Sequence, residues 1–295
     1  MPMVGDRPEL SLKTVVYATD FSVSSQNAGL YAARIAGYFS ATLVVAHAFT
    51  LSQAALEVEI NQVQVSQQRK DLKSLLSRQA LLLGAKSIEA SSTLLEGDPK
   101  EAIPALADNN APAIIVLGTH GGGRLERGIL GSVAEKILRS SRWPTLTVGP
   151  LVKPVSSQTF PFARILFATD LSPAGANAAI YAVTFAEVLG AKIDVLNVIQ
   201  DDAIEHPARL SDLQTHFFKA LEVLVPQEAR EFCDPKTFLT VGRAHDQILE
   251  HIRERSIDLL VLGIRKTSHI SMEMRTSGAF RIIVDAACPV LTIRS

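Results

Sequence analysis

The residues with the clearest chemical potential in this sequence are six glycines in the run GTHGGGRLERGILGS, from Gly118 to Ser132. An apolar run, AIIVL, precedes them, and a helix-like run, VAEKIL, follows them. Glycine lets a backbone turn sharply and approach a ligand with no Cβ in the way. The first N–H groups of a helix are unpaired and favour negative charge. The order of strand, glycine-rich loop and helix therefore predicts either a phosphate-binding site or a plain surface connection closed by a helix cap.

Asp20 is the second candidate, because it follows a short strand-like run in the segment TVVYATDFS. Its carboxylate could accept a hydrogen bond from a ribose hydroxyl or a base amine, or it could cap the helix that follows. Both roles can hold at once. Two histidines are weaker candidates: His47 ends a mostly apolar run and is interpreted as a core residue, and His120 has no partner base for catalysis.

Several familiar binding and catalytic motifs are missing from the sequence. A P-loop needs G-x-x-x-x-G-K-[ST], which does not occur, and a G-x-G-x-x-G pattern starting at Gly121 has Glu126 in place of its last glycine. The seven histidines show no H-E-x-x-H spacing, and no serine lies in G-x-S-x-G. The sequence therefore predicts no catalytic residue and no metal held by the protein.

Composition favours a two-domain protein without a nucleic-acid partner. The chain has 295 residues, 47% of them hydrophobic, and a net charge of -1. Residues 1–150 carry 14 Lys and Arg against 13 Asp and Glu, and residues 151–295 carry 15 against 17, so neither half has the basic excess of a nucleic-acid surface. Two cysteines, no signal-like N-terminus and no apolar run of about 18 residues predict a cytoplasmic protein without a membrane span.

The sequence also repeats itself. TVVYATDFS at 14–22 matches RILFATDLS at 164–172 with an offset of 150 residues. AIIVLG at 113–118 matches DLLVLG at 258–263 with an offset of 145 residues. A repeat of this length predicts two homologous domains in one chain.

Each copy closes on a similar strand-like run, WPTLTV at 143–148 and CPVLTI at 288–293. The segment between the copies, LVKPVSSQTFP, is rich in Pro and Ser, as linkers often are. The predicted boundaries are therefore a first domain at 1–150, a linker at 151–161 and a second domain at 162–295.

Within each copy, strand-like runs alternate with helix-like runs. The alternation is typical of right-handed βαβ units and predicts an α/β fold in which each domain is a five-stranded, doubly wound parallel sheet with helices on both faces. A ligand then binds beyond the carboxyl ends of the strands, where Asp20, Ala48, Gly97 and Gly118 should converge. The elements predicted for the first copy are strand 14–18, helix 24–38, strand 42–49, helix 53–83, strand 87–95, helix 99–109, strand 113–117, helix 132–141 and strand 144–148.

With these residues in place, the chain resembles a tandem universal stress protein. Nucleotide-binding members of that family carry G-x2-G-x9-G-[ST] after the fourth strand, and Gly118, Gly121, Gly131 and Ser132 match it at every position. The runs ATDFS, VVAHA and WPTLTV extend the resemblance over nearly the whole chain. The resemblance implies the adenine-nucleotide alpha-hydrolase-like fold. Since such domains usually pair through their fifth strands, it also implies an internal pseudo-dimer, with a homodimer of the whole chain as a further option.

The resemblance further implies an adenine-nucleotide site in the first domain, for ATP or AMP, with Mg²⁺ as an optional companion of ATP. Many members have Pro-x-Asp where this chain has Ala18-Thr19-Asp20, a departure that loosens the wall beside adenine. The residues implied for adenine and ribose are Asp20 and Ala48, and those implied for the phosphates are Gly118, Gly121, Gly131, Ser132 and the Val133 amide. Ala18, Thr19 and Leu117 complete the implied nucleotide site.

The second copy departs from this motif. At the matching positions it has Gly263, Lys266, Thr276 and Ser277, so two of the three glycines are replaced. A Cβ at either position obstructs the approach of backbone to phosphate. The second domain is therefore predicted not to bind ATP in the family manner and to act as a structural or regulatory partner.

The function predicted is that of a stress-response protein that binds an adenine nucleotide as a conformational or regulatory ligand. Two alternatives stay open. One is a slow ATP hydrolase or phosphotransferase, although no base or paired carboxylates for Mg²⁺ are evident. The other is a structural interaction protein that needs no nucleotide.

Overall fold

A computed structural model of the chain describes eight segments: residues 12–50, 59–84, 88–120, 130–155, 162–200, 207–226, 229–265 and 278–294. The elements of the N-terminal domain are β1 (Thr14–Ala18), α1 (Val23–Phe39), β2 (Thr42–Phe49), α2 (Glu59–Leu83), β3 (Ala90–Glu96), α3 (Pro99–Asn109), β4 (Ala113–Gly118), α4 (Ser132–Ser140) and β5 (Thr145–Val148). Those of the C-terminal domain are β6 (Arg164–Ala168), α5 (Pro173–Leu189), β7 (Lys192–Ile199), α6 (Pro207–Leu224), α7 (Arg230–Cys233), β8 (Lys236–Val241), α8 (Ala244–Glu254), β9 (Leu259–Ile264), α9 (Gly278–Asp285) and β10 (Val290–Arg294).

The described strands form a ten-stranded sheet in the order β3-β2-β1-β4-β5-β10-β9-β6-β7-β8. Within each domain the neighbouring strands are parallel, and the strand order reverses beside β1 and beside β6. The two fifth strands, β5 and β10, pair antiparallel with Leu146 opposite Leu291. The predicted α/β class and the two tandem, doubly wound domains are confirmed.

Helices cover both faces of the sheet. Along β1, Val15 and Tyr17 pack with one apolar cluster and Val16 with the other, because successive side chains of a strand point to opposite faces. The first cluster receives buried residues of α1, α2, α5, α6 and α7, and the second receives those of α3, α4, α8 and α9. Strands covered on both faces read as continuous apolar runs, which is why the sequence located them.

Local side-chain chemistry fixes where the helices begin. The Ser22 hydroxyl accepts a hydrogen bond from the Ser25 N–H at 3.2 Å and caps α1, so the cap is Ser22 rather than Asp20. Asp98 caps α3 by accepting a hydrogen bond from the Lys100 N–H at 2.9 Å. These caps place the loops after β1 and β3 at the carboxyl edge of the sheet.

The predicted boundaries lie within one residue of the structure except at the start of the third strand, and the predicted start of the second helix falls outside the described residues. The helix predicted at 53–83 is described from Glu59, and residues 51–58 lie outside the described segments. The third strand, predicted from residue 87, begins at Ala90. That strand ends before Gly97, whose φ of 116° is strained for residues with a side chain.

Candidate functional site

A cavity of about 220 Å³ opens at the carboxyl ends of β1, β2 and β4, beside α3 and the start of α4. It brings together nine of the ten site residues predicted from the sequence: Ala18, Thr19, Asp20, Ala48, Leu117, Gly118, Gly131, Ser132 and Val133. The tenth, Gly121, lies outside the described residues. Seven further residues line the cavity: Ser25, His47, Pro99, Ile103, Thr119, His120 and Ala134.

The loop after β1 holds Asp20 at the cavity in a tight turn. One carboxylate oxygen of Asp20 accepts a hydrogen bond from the Ser22 N–H at 3.0 Å. The Thr19 hydroxyl accepts from the Phe21 N–H at 3.0 Å and lies 3.0 Å from the Ser25 hydroxyl. Phe21 has a φ of 63°, an uncommon value for a large residue, which these bonds support. The result is an exposed carboxylate with a fixed position beside the cavity.

His47 ties the end of β2 to the same loop. Its Nδ1 lies 2.7 Å from the Thr19 carbonyl oxygen and therefore donates, since a carbonyl oxygen only accepts. Its ring centroid lies 4.8 Å from that of Phe21. His47 thus lines the cavity while orienting the loop that carries Asp20, a position that its place in an apolar run did not indicate.

The end of β4 brings the backbone of two elements together. A Cβ on Gly118 would lie 3.1 Å from the Ser24 hydroxyl and 3.2 Å from the Ser25 nitrogen, at the start of α1. Thr119, which is fully buried, accepts a hydrogen bond at its carbonyl from the Gly131 N–H at 2.8 Å, and its hydroxyl lies 2.8 Å from His120 Nδ1. His120 is thus held by a hydrogen bond with the side chain of its own neighbour, Thr119.

The start of α4 forms the opposite wall of the cavity. Gly131 is its N-cap with no side-chain cap hydrogen bond, and it lines the cavity together with Ser132, Val133 and Ala134. The N–H groups of a first helical turn have no partner within the helix and carry partial positive charge. The wall therefore suits an anion, whereas Ala18 and Ala48 on the far side offer apolar surface.

We expect Gly118→Ala to lower the free energy of unfolding by about 1–3 kcal/mol, because the added methyl group crowds the first turn of α1. Urea denaturation followed by circular dichroism measures the change. Gly278→Ala is the control, since a Cβ there meets nothing within 4 Å. Equal stabilities for the parent and Gly118→Ala would contradict the close packing of β4 against α1.

The equivalent loop of the C-terminal domain is built in the same way, and its carboxylate binds an arginine of the same domain. Asp170 accepts from the Ser172 N–H at 3.0 Å, as Asp20 does from Ser22. Its second oxygen accepts from the Arg265 guanidinium at 2.5 Å. Burial raises the pKa of the Asp170 carboxyl, but hydrogen bonds from Ser172 and Arg265 and the charge of Arg265 outweigh burial and hold that pKa below its ordinary value.

The wall beside β9 is also tighter than the one beside β4. A Cβ on Gly263, the equivalent of Gly118, would collide with the Ala174 carbonyl oxygen at the start of α5. Asn197 replaces His47 and donates to the Thr169 carbonyl oxygen at 2.8 Å. Lys266, Thr276 and Ser277, the remaining motif positions, lie outside the described residues.

Two other kinds of feature are absent from the described residues. No three His, Cys, Asp or Glu side chains in them are grouped so that they could hold a metal ion. No helix in them is long and apolar enough to cross a membrane.

The architecture defines a class: tandem, doubly wound α/β domains with a cleft at the carboxyl ends of the strands, beside a helix N-terminus. The chain belongs to the universal stress protein family, whose model matches residues 11–149 and 161–294. The resemblance inferred from the sequence motifs is thereby confirmed.

Individual relatives agree with this assignment. A universal stress protein of Methanocaldococcus jannaschii is 30% identical over 138 residues, which cover 46% of this chain and 81% of the relative. The solved structure of a universal stress protein from Archaeoglobus fulgidus has a TM-score of 0.70 at 19% identity and covers 95% of this chain and 96% of its own. A putative universal stress protein from Pseudomonas aeruginosa has a TM-score of 0.62 at 14% identity, and the match covers 96% of this chain and 94% of that protein. At these identities the two structures show the fold alone.

Proposed function

We propose that this chain is a cytoplasmic stress-response protein that binds one adenine nucleotide, ATP or AMP, in the cavity of its N-terminal domain. The observation that carries the proposal is the convergence of Asp20, the β4 glycine Gly118 and the start of α4 on one cavity. Ala18 and Ala48 supply apolar surface for the base, and Asp20 supplies an acceptor for ribose hydroxyls or a base amine. Ser132 and the first N–H groups of α4 supply donors for phosphate.

The proposed site belongs to one domain only. In the C-terminal domain the Arg265 guanidinium binds Asp170, and the backbone of Gly263 lies closer to α5 than that of Gly118 lies to α1. The sequence also replaces two loop glycines there, by Lys266 and Thr276. We therefore assign one nucleotide to each chain and a structural or regulatory role to the C-terminal domain.

The proposed division is a domain at 1–150, a linker at 151–161 and a domain at 162–295. The start of the linker lies against α1, where Asn27 Nδ2 donates to the Val152 carbonyl at 3.0 Å and Tyr31 donates to the Lys153 carbonyl at 3.0 Å. We propose that the β5–β10 pair persists in solution as an internal pseudo-dimer, because a short linker makes pairing within the chain strongly favoured.

Helix α4 offers a route from the nucleotide to the C-terminal domain. Its first residues line the cavity, and its last carbonyl, that of Ser140, accepts a hydrogen bond from Arg294 of β10 at 2.7 Å. The Arg139 guanidinium lies over the Phe280 ring of α9, 4.6 Å from its centroid. A ligand that moves α4 therefore changes contacts with two elements of the other domain, which supports a regulatory role.

Isothermal titration calorimetry of the full chain with ATP and with AMP tests the proposal. We expect one site per chain and a rise in melting temperature at saturating nucleotide. Asp20→Asn should weaken binding about tenfold or more, because it keeps the turn to Ser22 but removes the charged acceptor. Asp170→Asn, at the equivalent position of the other domain, should bind as the parent does.

Two results would contradict the proposal. One is no measurable binding at about millimolar ATP. The other is an equal loss of affinity in Asp20→Asn and Asp170→Asn, which would place the ligand outside the N-terminal cavity.

A further inference from the structure

The two faces of the sheet differ in the apolar surface that their helices expose. Among the described residues, helices α3, α4, α8 and α9 expose no large hydrophobic side chain. The helices on the opposite face expose many of them. These are Val23, Leu30 and Tyr38 on α1; Val63, Leu75, Leu81 and Leu82 on α2; Ile180 and Val188 on α5; Phe218 and Val223 on α6; and Phe232 on α7.

Several of these residues occupy equivalent positions in the two domains. Leu30 and Ile180 are 150 residues apart, as the repeat requires, and are 40% and 39% exposed. Tyr38 and Val188 are also 150 residues apart and are both 44% exposed. Single exposed hydrophobic residues are ordinary. Here, however, exposed hydrophobic residues recur at the same helix positions in both domains, and all of them lie on the same face of the sheet.

This apolar surface is centred on the internal twofold axis of the molecule. Leu146 and Leu291 are equivalent residues and pair directly across β5 and β10, which marks the axis within the sheet. The equivalent residues Tyr38 and Val188 also meet, since the Tyr38 hydroxyl donates to the Val188 carbonyl at 2.7 Å. Helices α1 and α5 therefore lie on either side of the axis. We call their outer surface, with Leu30, Tyr38, Ile180 and Val188, the α1/α5 face.

We propose that the α1/α5 face is the contact surface for a second copy of this chain. A surface with twofold symmetry is matched by a partner of the same symmetry, and isologous contacts are the commonest in homodimers. The fifth-strand edges are already used within the chain, so a second copy must meet another surface.

The charges on the α1/α5 face favour a second copy of the chain over a membrane as its partner. Helices α1 and α5 each contain one charged residue, Arg34 and Glu187, which are opposite in sign. The whole chain has a net charge of -1, so two copies repel each other little. Anionic membrane surfaces attract clusters of basic residues, and this helix pair has none.

Sedimentation velocity of the full chain at about 10 µM tests the proposal. The parent should sediment as a dimer of the 31.8 kDa chain. Leu30→Lys with Ile180→Lys places two charges on the α1/α5 face and should raise the dimer dissociation constant by about tenfold or more. The control is Ala105→Lys with Glu250→Gln, at equivalent exposed positions on the opposite face. It changes the net charge of the chain by the same amount and should leave the dimer intact.

Two results would overturn the proposal: a parent that is monomeric, or a Leu30→Lys/Ile180→Lys variant that dimerises like the parent. A monomeric parent is also tested for co-sedimentation with phosphatidylcholine vesicles. Co-sedimentation would assign the face to a lipid surface. Both altered side chains are partly exposed, so the variant should keep the parent's melting temperature and its one ATP per chain. Nucleotide titration of the same samples separates this proposal from that of the nucleotide site.

Discussion

Replacing Gly131 by valine is expected to lower the affinity for ATP by about 100-fold or more, a loss of about 2.7 kcal/mol. Gly131 lines the cavity immediately before the first turn of α4. A β-branched side chain there places two methyl groups beside the N–H donors proposed for phosphate. The backbone itself accepts valine, because Gly131 has φ -59° and ψ 142°, an extended conformation open to any residue. Binding should therefore fail in a folded protein.

Calorimetric titration with ATP measures the loss, and the melting temperature without nucleotide verifies the fold. Gly131→Ser is the matched variant, because serine is as good a helix N-cap as glycine or better by a few tenths of a kcal/mol. Gly131→Ser should keep or slightly raise the stability of the protein. Because its side chain is larger than that of glycine but smaller than that of valine, it should still weaken ATP binding, but by less than Gly131→Val. A valine variant that binds ATP as tightly as the parent would show that the loop assignment is wrong.

The repeat and the alternation of runs were enough to predict the fold. Strands buried on both faces are continuous apolar runs, and caps such as Ser22 and Asp98 are local signals. The cavity was also predictable in outline, because strand order brings the residues after β1, β2 and β4 to one edge. Topology located Asp20, Ala48 and Gly118, and the family resemblance supplied the other six of the nine lining residues. Gly97, which topology also assigned to this edge, is not among the residues that line the cavity.

What could not be predicted depends on partners that are distant in the sequence. His47 bonds to a carbonyl 28 residues away, and Arg265 to a carboxylate 95 residues away. Ser25 reaches the cavity because α1 packs against the end of β4 at Gly118. No spacing in the sequence reports such contacts, because they arise only when separate elements pack.

The clearest such case is a buried ionic cluster in the C-terminal domain. Asp194 of β7 is 2% exposed, and its carboxylate lies 3.1 Å from His251 Nε2 and 3.0 Å from Arg255 Nε. The equivalent positions in the N-terminal domain are Val44 and Leu106. One repeat thus uses an apolar pair where the other uses a hydrogen-bonded Asp–His pair, which provides a comparison within a single chain.

Asp194→Val alone and His251→Leu alone are each expected to lower the free energy of unfolding by about 3 kcal/mol, because each leaves a buried polar group without its partner. The double variant restores the pair found in the N-terminal domain and should lie within about 1 kcal/mol of the parent, since apolar pairs often replace buried ion pairs without loss. Urea denaturation of the four proteins gives the coupling free energy. Additive effects of the two changes would show that the pair is not energetically coupled.

Acidification should separate the parent from the double variant. Burial raises the pKa of Asp194, but hydrogen bonds from His251 and Arg255 and the Arg255 charge outweigh burial and hold that pKa below its ordinary value of 3.8. A carboxyl whose pKa is lower in the folded state stabilises the fold above its unfolded pKa and loses that contribution as the pH falls through the folded one. As the pH falls below about 4 the parent should therefore lose more stability than the Asp194→Val/His251→Leu variant. Parallel losses in the two proteins would show that the Asp194 cluster does not contribute to acid sensitivity.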